Sequence, residues 1–255
     1  MIVLDVHTVI TLMLLTLRVF SFVVLVPAFG TFFIPGFLRV YLSLGIAFSL
    51  LFLTDLEPVR TTSLPEIISL AIKEVLFGFT AGLLLRLLFD AVFIAGEIIA
   101  VQTGLGFLTM FLPQQPQTTV MAGFSTLLAS TLFLTLGGAE AVFLGLAESI
   151  RRVPPGSFDL YSLNGDLFLR FFYESFSMGV KIALPVLIAT LLTNVILAVV
   201  NRFIPQINVF MVGLPLQIAV GLVVFMLSLP AVGLVLTSYM RKHMLEFLRF
   251  VSLSG

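Results

Sequence analysis

EIISLAIKEVLFGFTAGLLLRLLFDAVFIAGEIIAVQTGLGFLTMF, residues 66–111, decides how this chain folds. No proline interrupts it. It reads as one helical segment, longer than the roughly 20 residues that cross a ~30 Å hydrocarbon core at ~1.5 Å each. It must either bend near Gly96, Gly104 or Gly106 or project beyond a bilayer. Arg86 and Asp90 lie four positions apart, and Asp90 and Glu97 seven. All three therefore share one helix face. Charge in hydrocarbon is expensive and turns towards a bundle interior or water. This intramembrane charged face reads as an ion or proton relay, as pairing with a neighbouring subunit, or as part of a helix outside lipid. Gly78 and Gly82 add a small-xxx-small packing face.

The rest of the chain has the same character. Of its 255 residues, 60% are hydrophobic and 10% charged, against about 45–50% and about 25% in soluble domains. The mean hydropathy is +1.20. Too little polar surface remains to cover a soluble globule, which excludes a nucleic-acid-binding domain and an ordinary cytoplasmic enzyme. Further apolar runs occupy residues 8–28, 38–53, 118–136, 171–200 and 209–236. The fold class expected is an all-α polytopic membrane protein with about six hydrophobic segments arranged as hairpins, some bent or broken. An amphipathic helix should extend to Arg152, stopped by Pro154, Pro155 and Gly156. A short basic tail, 239–255, follows the last run. The first run is read as retained, because Asp5 and His7 replace a basic leader region.

If both termini lie on one side, that side holds Arg60, Arg151, Arg152, Arg170, Arg241, Lys242 and Arg249. The other holds Arg202 and Arg39. The positive-inside rule then places both termini in the cytoplasm. Arg18, Lys73 with Glu74, and Lys181 look isolated, the Lys73–Glu74 pair sitting at an interface. His7 and His243 are read as surface histidines, with no metal site. Cysteine is absent. No phosphate loop, metalloprotease motif or serine elbow is present, so no catalytic residue and no cofactor is assigned. Tryptophan is absent while phenylalanine occurs 27 times, which suits helices packed on protein as well as on lipid. In residues 102–120, Gly104 and Gly106 allow bending. Phe107, Met110 and Phe111 supply soft bulk ahead of Pro113 and a glutamine-rich turn, a composition able to plug a channel.

The chain resembles the FliR family of the flagellar type III protein export gate. Four stretches carry the resemblance: RVFSFVVLVPAFGTFFIPGFLRVYLSLGIAF (18–48), GEIIAVQTGLGFLTMFLPQQPQTTV (96–120), AESIRRVPPG (147–156) and NRFIPQINVFMVGLPLQIAVG (201–221). The last is the most specific, with Pro205, Gln206, Asn208, Phe210, Gly213 and Pro215 as the assembly signature. Two positions depart from the family pattern. Gly138 is followed by Ala139 rather than histidine, and Leu112 rather than an acidic residue precedes Pro113.

The resemblance implies a non-enzymatic structural component in the bacterial inner membrane, within the flagellar basal body. It implies a FliP-like portion over about 1–170, including a central loop at 102–119. A FliQ-like helical hairpin and a basic cytoplasmic tail would occupy about 171–255. FliP-like and FliQ-like subunits, an FlhB-like protein, an FlhA-like export protein and unfolded flagellar subunits are the implied partners, with membrane lipid around and no nucleic acid. In such a gate much of the complex sits above the usual membrane plane, and the central loop resembles the plug that closes the pore. The homologous injectisome gate component is the alternative. A proton-coupled secondary transporter built on Arg86, Asp90 and Glu97 is another, although no inverted repeat is evident.

Overall fold

The structure, a computed structural model, describes residues 5–30, 34–54, 56–107, 118–159, 165–204 and 209–253. Among these residues the chain is helical: α1 (Val6–Leu25), α2 (Gly36–Leu53), α3 (Leu64–Thr103), α4 (Val120–Thr135), α5 (Gly138–Arg152), α6 (Gly165–Phe203) and α7 (Val209–Leu253). A single 3-10 turn, Pro27–Phe29, follows α1. Several boundaries have a local cause. The Asp5 carboxylate accepts the Val6 N–H at 2.7 Å and caps α1. Gly137, at φ +82°, supplies the left-handed residue that separates α4 from α5, and the two helices bend by 68°. Glu140 opens α5 and Arg151 and Arg152 close it, the arrangement the helix dipole favours.

By length and composition, α1, α2, α6 and Met211–Val251 of α7 are apolar enough to cross a membrane, and the bent pair α4–α5 makes a fifth span if counted as one. The protein is thus an all-α polytopic membrane protein with four or five apolar spans, and α3 is not among the four. Its helix runs unbroken past Gly96 to Thr103, about 60 Å at 1.5 Å per residue. Helices α6 and α7 likewise continue through Pro185, Pro215 and Pro230.

The basic tail expected at 239–255 is instead the last part of α7, helical to Leu253. Its Met240, His243, Met244, Phe247, Phe250 and Val251 are buried. They recur at the three- and four-residue spacing of a packed helix face, which outweighs the scattered basic residues between them. His243, read as a surface residue, is 1% exposed and meets Phe171 edge-on at 5.0 Å.

The chain divides into two compact units. Unit 1 comprises residues 1–87, 133–171 and 240–255; unit 2 comprises 88–132 and 172–239. In unit 1, α3 lies directly on α1. A Cβ at Gly78 would overlap the Arg18 carbonyl oxygen and Ser21 Oγ, and one at Gly82 would stand 2.9 Å from the Phe22 carbonyl oxygen. The small-xxx-small face is therefore a backbone contact. Leu14, Leu15, Val19 and Phe22 fill the α1 side of this core, and Phe22 meets Phe247 with ring centroids 5.8 Å apart. In unit 2, Gly96 plays the same part between α3 and α4, where a Cβ would come within 2.5 Å of Ala122 Cα.

Gly78→Ala should therefore lower the thermal unfolding midpoint of the purified protein, by an overpacking cost of about 1–3 kcal/mol. Gly45→Ala, on α2 with nothing within 4 Å of the new methyl, should hold or raise it by up to about 1 kcal/mol. Equal midpoints for the two variants would contradict the α1–α3 contact.

Candidate functional site

Part of each of the two sequence-identified groups, at 104–113 and 205–215, is described, in unit 2. Helix α3 ends at Gly104, whose φ of +79° is the left-handed conformation that closes a helix. The Gly106 N–H donates to the Ala100 carbonyl at 3.0 Å and the Phe107 N–H to the Gly104 carbonyl at 3.2 Å. Phe107 is 53% exposed. Met110, Phe111 and Pro113 lie outside the described residues, as do Pro205, Gln206 and Asn208. Phe210, Gly213 and Pro215 fall in the first turns of α7. There a cavity of about 380 Å3 is lined by Phe107, Asn194, Asn201, Gly213, Leu214 and Gln217. The Gln217 amide donates to Asn194 Oδ1, so α6 and α7 are joined by carboxamides within an apolar hairpin.

The charged face of α3 divides. Arg86 is exposed and Asp90 half-buried, and they belong to units 1 and 2 respectively. Glu97 is half-buried and accepts both the N–H and the hydroxyl of Thr119 at 3.2 Å. Thr119 in turn immediately precedes α4.

The densest polar site was not legible as such in the sequence. Arg18 and Glu74, which read as isolated charges, are both fully buried and paired. Arg18 Nε donates to Glu74 Oε2 at 2.5 Å and Nη2 to Oε1 at 3.0 Å, a bidentate fork. The same guanidinium donates to the Ser149 carbonyl at 3.3 Å and to the Val153 carbonyl at 3.0 Å, at the C-terminal end of α5. Glu74 Oε1 also accepts the Gly156 N–H at 2.7 Å, and Lys73 Nζ reaches the Gly156 carbonyl at 3.3 Å. The Phe77 ring lies 4.6 Å from Arg18 Cζ, close enough for a cation–π contact. Phe158 stacks edge-on against Phe77 at 5.2 Å. One site thus binds α1, α3, the end of α5 and the Pro-Pro-Gly turn. A clue was present: Glu74 stands one turn before the Gly78 packing glycine, on the side of α3 that faces α1.

A profile of the bacterial export proteins, family 1, matches residues 9–243. The chain is 49% identical over 242 residues to the flagellar biosynthetic protein FliR of Aquifex aeolicus, covering 95% of this chain and 94% of the relative. It is 35% identical over 197 residues to the FliR of Pectobacterium carotovorum, covering 76% and 75%. With the FliR of Bacillus subtilis it shares 28% over 231 residues, covering 88% and 87%. The chain belongs to the bacterial export protein family 1. Its role is that of a non-enzymatic structural component of the flagellar export gate, and its place is the bacterial inner membrane.

For a structural export protein, the Arg18–Glu74 site matters through geometry. Arg18→Met or Glu74→Leu alone leaves a buried charge without its partner, which costs about 3–5 kcal/mol. The double variant Arg18→Met/Glu74→Leu removes both charges and should recover much of that loss. Unfolding midpoints for the four proteins of this cycle test the pairing. Strictly additive losses would show that the two side chains do not act together.

Proposed function

We propose that this chain is a wall and closure element of the conduit through which unfolded flagellar subunits leave the cytoplasm. Its likeness to flagellar FliR proteins over nearly its whole length is the observation that carries this reading. It also favours the flagellar gate over the injectisome counterpart. In this reading, residues 1–170 form a FliP-like portion and 171–255 a FliQ-like hairpin. The partners are FliP-like and FliQ-like subunits, with FlhB-like and FlhA-like proteins on the cytoplasmic side, where both termini lie.

The hairpin's surface supports such partners. Within the apolar window of α7 only 17% of residues are buried, and Leu191, Met211 and Leu227 are 62%, 76% and 76% exposed. Lipid or other helices must cover such a face. Loop 102–119 is the closure element. Gly104 turns the chain out of α3, Phe107 is the exposed aromatic at its start, and Met110, Phe111 and Pro113 extend the same apolar composition. Bulky apolar side chains close a pore by excluding water. In this reading Pro205, Gln206, Asn208, Phe210, Gly213 and Pro215 act in assembly.

Deleting residues 102–117 should let ions leak through assembled gates, seen as conductance across the inner membrane. Unchanged conductance with export intact would refute closure by this loop. Replacing Pro205, Gln206 and Asn208 by alanine should lower the yield of intact gate by native mass spectrometry. A full yield of intact gate with export blocked would place those residues in transport instead of assembly.

A further inference from the structure

The Glu97 carboxylate does something more specific than lie on a charged face. A helix start leaves its first N–H groups without intrahelical partners. At α4 the first backbone bond is Gly123 N–H to the Thr119 carbonyl, at 2.9 Å. Thr119 is therefore the N-cap, and its Oγ1 accepts the N–H of Ala122, three residues on, at 3.2 Å. In a capping box, the residue at that third position would be Glu or Gln and would reach back to the N–H of the cap residue. Ala122 has no such group. Glu97 Oε1, from α3, takes the Thr119 N–H in its place, and takes the Thr119 hydroxyl proton as well. Accepting that proton leaves a lone pair of Oγ1 directed at Ala122, so the bonds form a polarised chain from Ala122 through Thr119 to Glu97. A negative charge at this end also suits the dipole of α4. The adjacent Gly96 lets the α4 backbone approach closely enough for the contact. Thr119 is 7% exposed, so water is a poor substitute partner.

We infer that Glu97 is a positioning residue: it completes the capping box of α4 from another helix and so fixes the start of α4, the helix that follows the 102–119 loop in sequence. The functional consequence rests on the reading of that loop as the closure element; the anchoring does not. Glutamine keeps the acceptor oxygen and removes the titrating carboxylate, so it separates anchoring from proton relay.

The test uses the assembled gate with full-length variants Glu97→Gln, Glu97→Ala, Thr119→Ser and Thr119→Val. Amide exchange is read in peptides covering residues 119–125, with peptides covering 14–23 as the folding control. Exchange in the first turn of α4 should rise roughly fivefold in Glu97→Ala and Thr119→Val, the order set by losing a helix cap. It should stay within about twofold of the parent in Glu97→Gln and Thr119→Ser, and the control peptides should not change. Ion conductance should rise in the first pair of variants only, with export retained in Glu97→Gln. Parental exchange in Glu97→Ala would overturn the inference. So would loss of export in Glu97→Gln with parental exchange, which would make the carboxylate a relay. Faster exchange without added conductance would uphold the anchor and reject the loop as the closure.

Discussion

The ion pair of Arg18 and Glu74 is the constraint on which unit 1 depends. Neither residue has any exposed side-chain surface, so each is a buried charge without a counter-ion unless the other has arrived. The guanidinium also needs the last carbonyls of α5, and the carboxylate needs the Gly156 N–H. Four stretches, with Arg18 and Val153 standing 135 residues apart in sequence, must therefore come together at once. A half-assembled version leaves a buried charge unpaired, the most unfavourable arrangement available to an apolar chain. Glycine makes the geometry possible. With any side chain at position 78, α3 would stand off from α1 and the fork from Arg18 to Glu74 would open.

Unit 2 repeats this logic with weaker groups. Gly96 brings α3 and α4 together, and Glu97 and Thr119 then satisfy the backbone of the new helix. Between α6 and α7 the corresponding bond is carboxamide to carboxamide, Gln217 to Asn194. Where α3 meets α1 and α4, a glycine allows the contact and a polar pair fixes it. This is how helices associate where burial of apolar surface gives little net drive. A buried ion pair holds unit 1, whereas neutral amides and a helix cap completed by Glu97 join the helices of unit 2.

Much of this was legible in the sequence. The all-helical class, the end of α5 at Arg152, the break at Gly137 and the Gly78–Gly82 packing face follow from composition, capping residues and spacing. The Arg18–Glu74 pair was not legible, because helical periodicity says which face a charge occupies and not which helix lies opposite. Glu97 illustrates the same limit: spacing grouped it with Arg86 and Asp90, whereas its partner is a threonine 22 residues away at the start of the next helix. The end of α7 was misread for another reason. Arg241, Lys242 and Arg249 dominate a composition window, while the buried residues between them are visible only as a helical stripe.

The same ion pair bears on what the hydrophobicity means. Arg18 lies about 18 Å along α1 from its first residue and about 10 Å from its last, at 1.5 Å per residue. Its guanidinium touches Ser149 and Val153, which places Arg151 and Arg152, both exposed, near the same height. A lipid-facing arginine at the centre of a span costs about 2.5–3.5 kcal/mol on the insertion scale, and the neighbouring Arg152 is paired with Glu148 at 2.9 Å, which adds a second ion pair at the same place. Bare hydrocarbon around α1 at mid-height is therefore a poor environment for this unit. Water or a neighbouring protein beside the end of α5 removes the penalty while leaving α1 and α2 as apolar as they are. The 60% hydrophobic composition is then explained as much by helices meeting other helices as by helices meeting lipid. The absence of tryptophan, the residue that marks a lipid interface most clearly, is consistent with that balance.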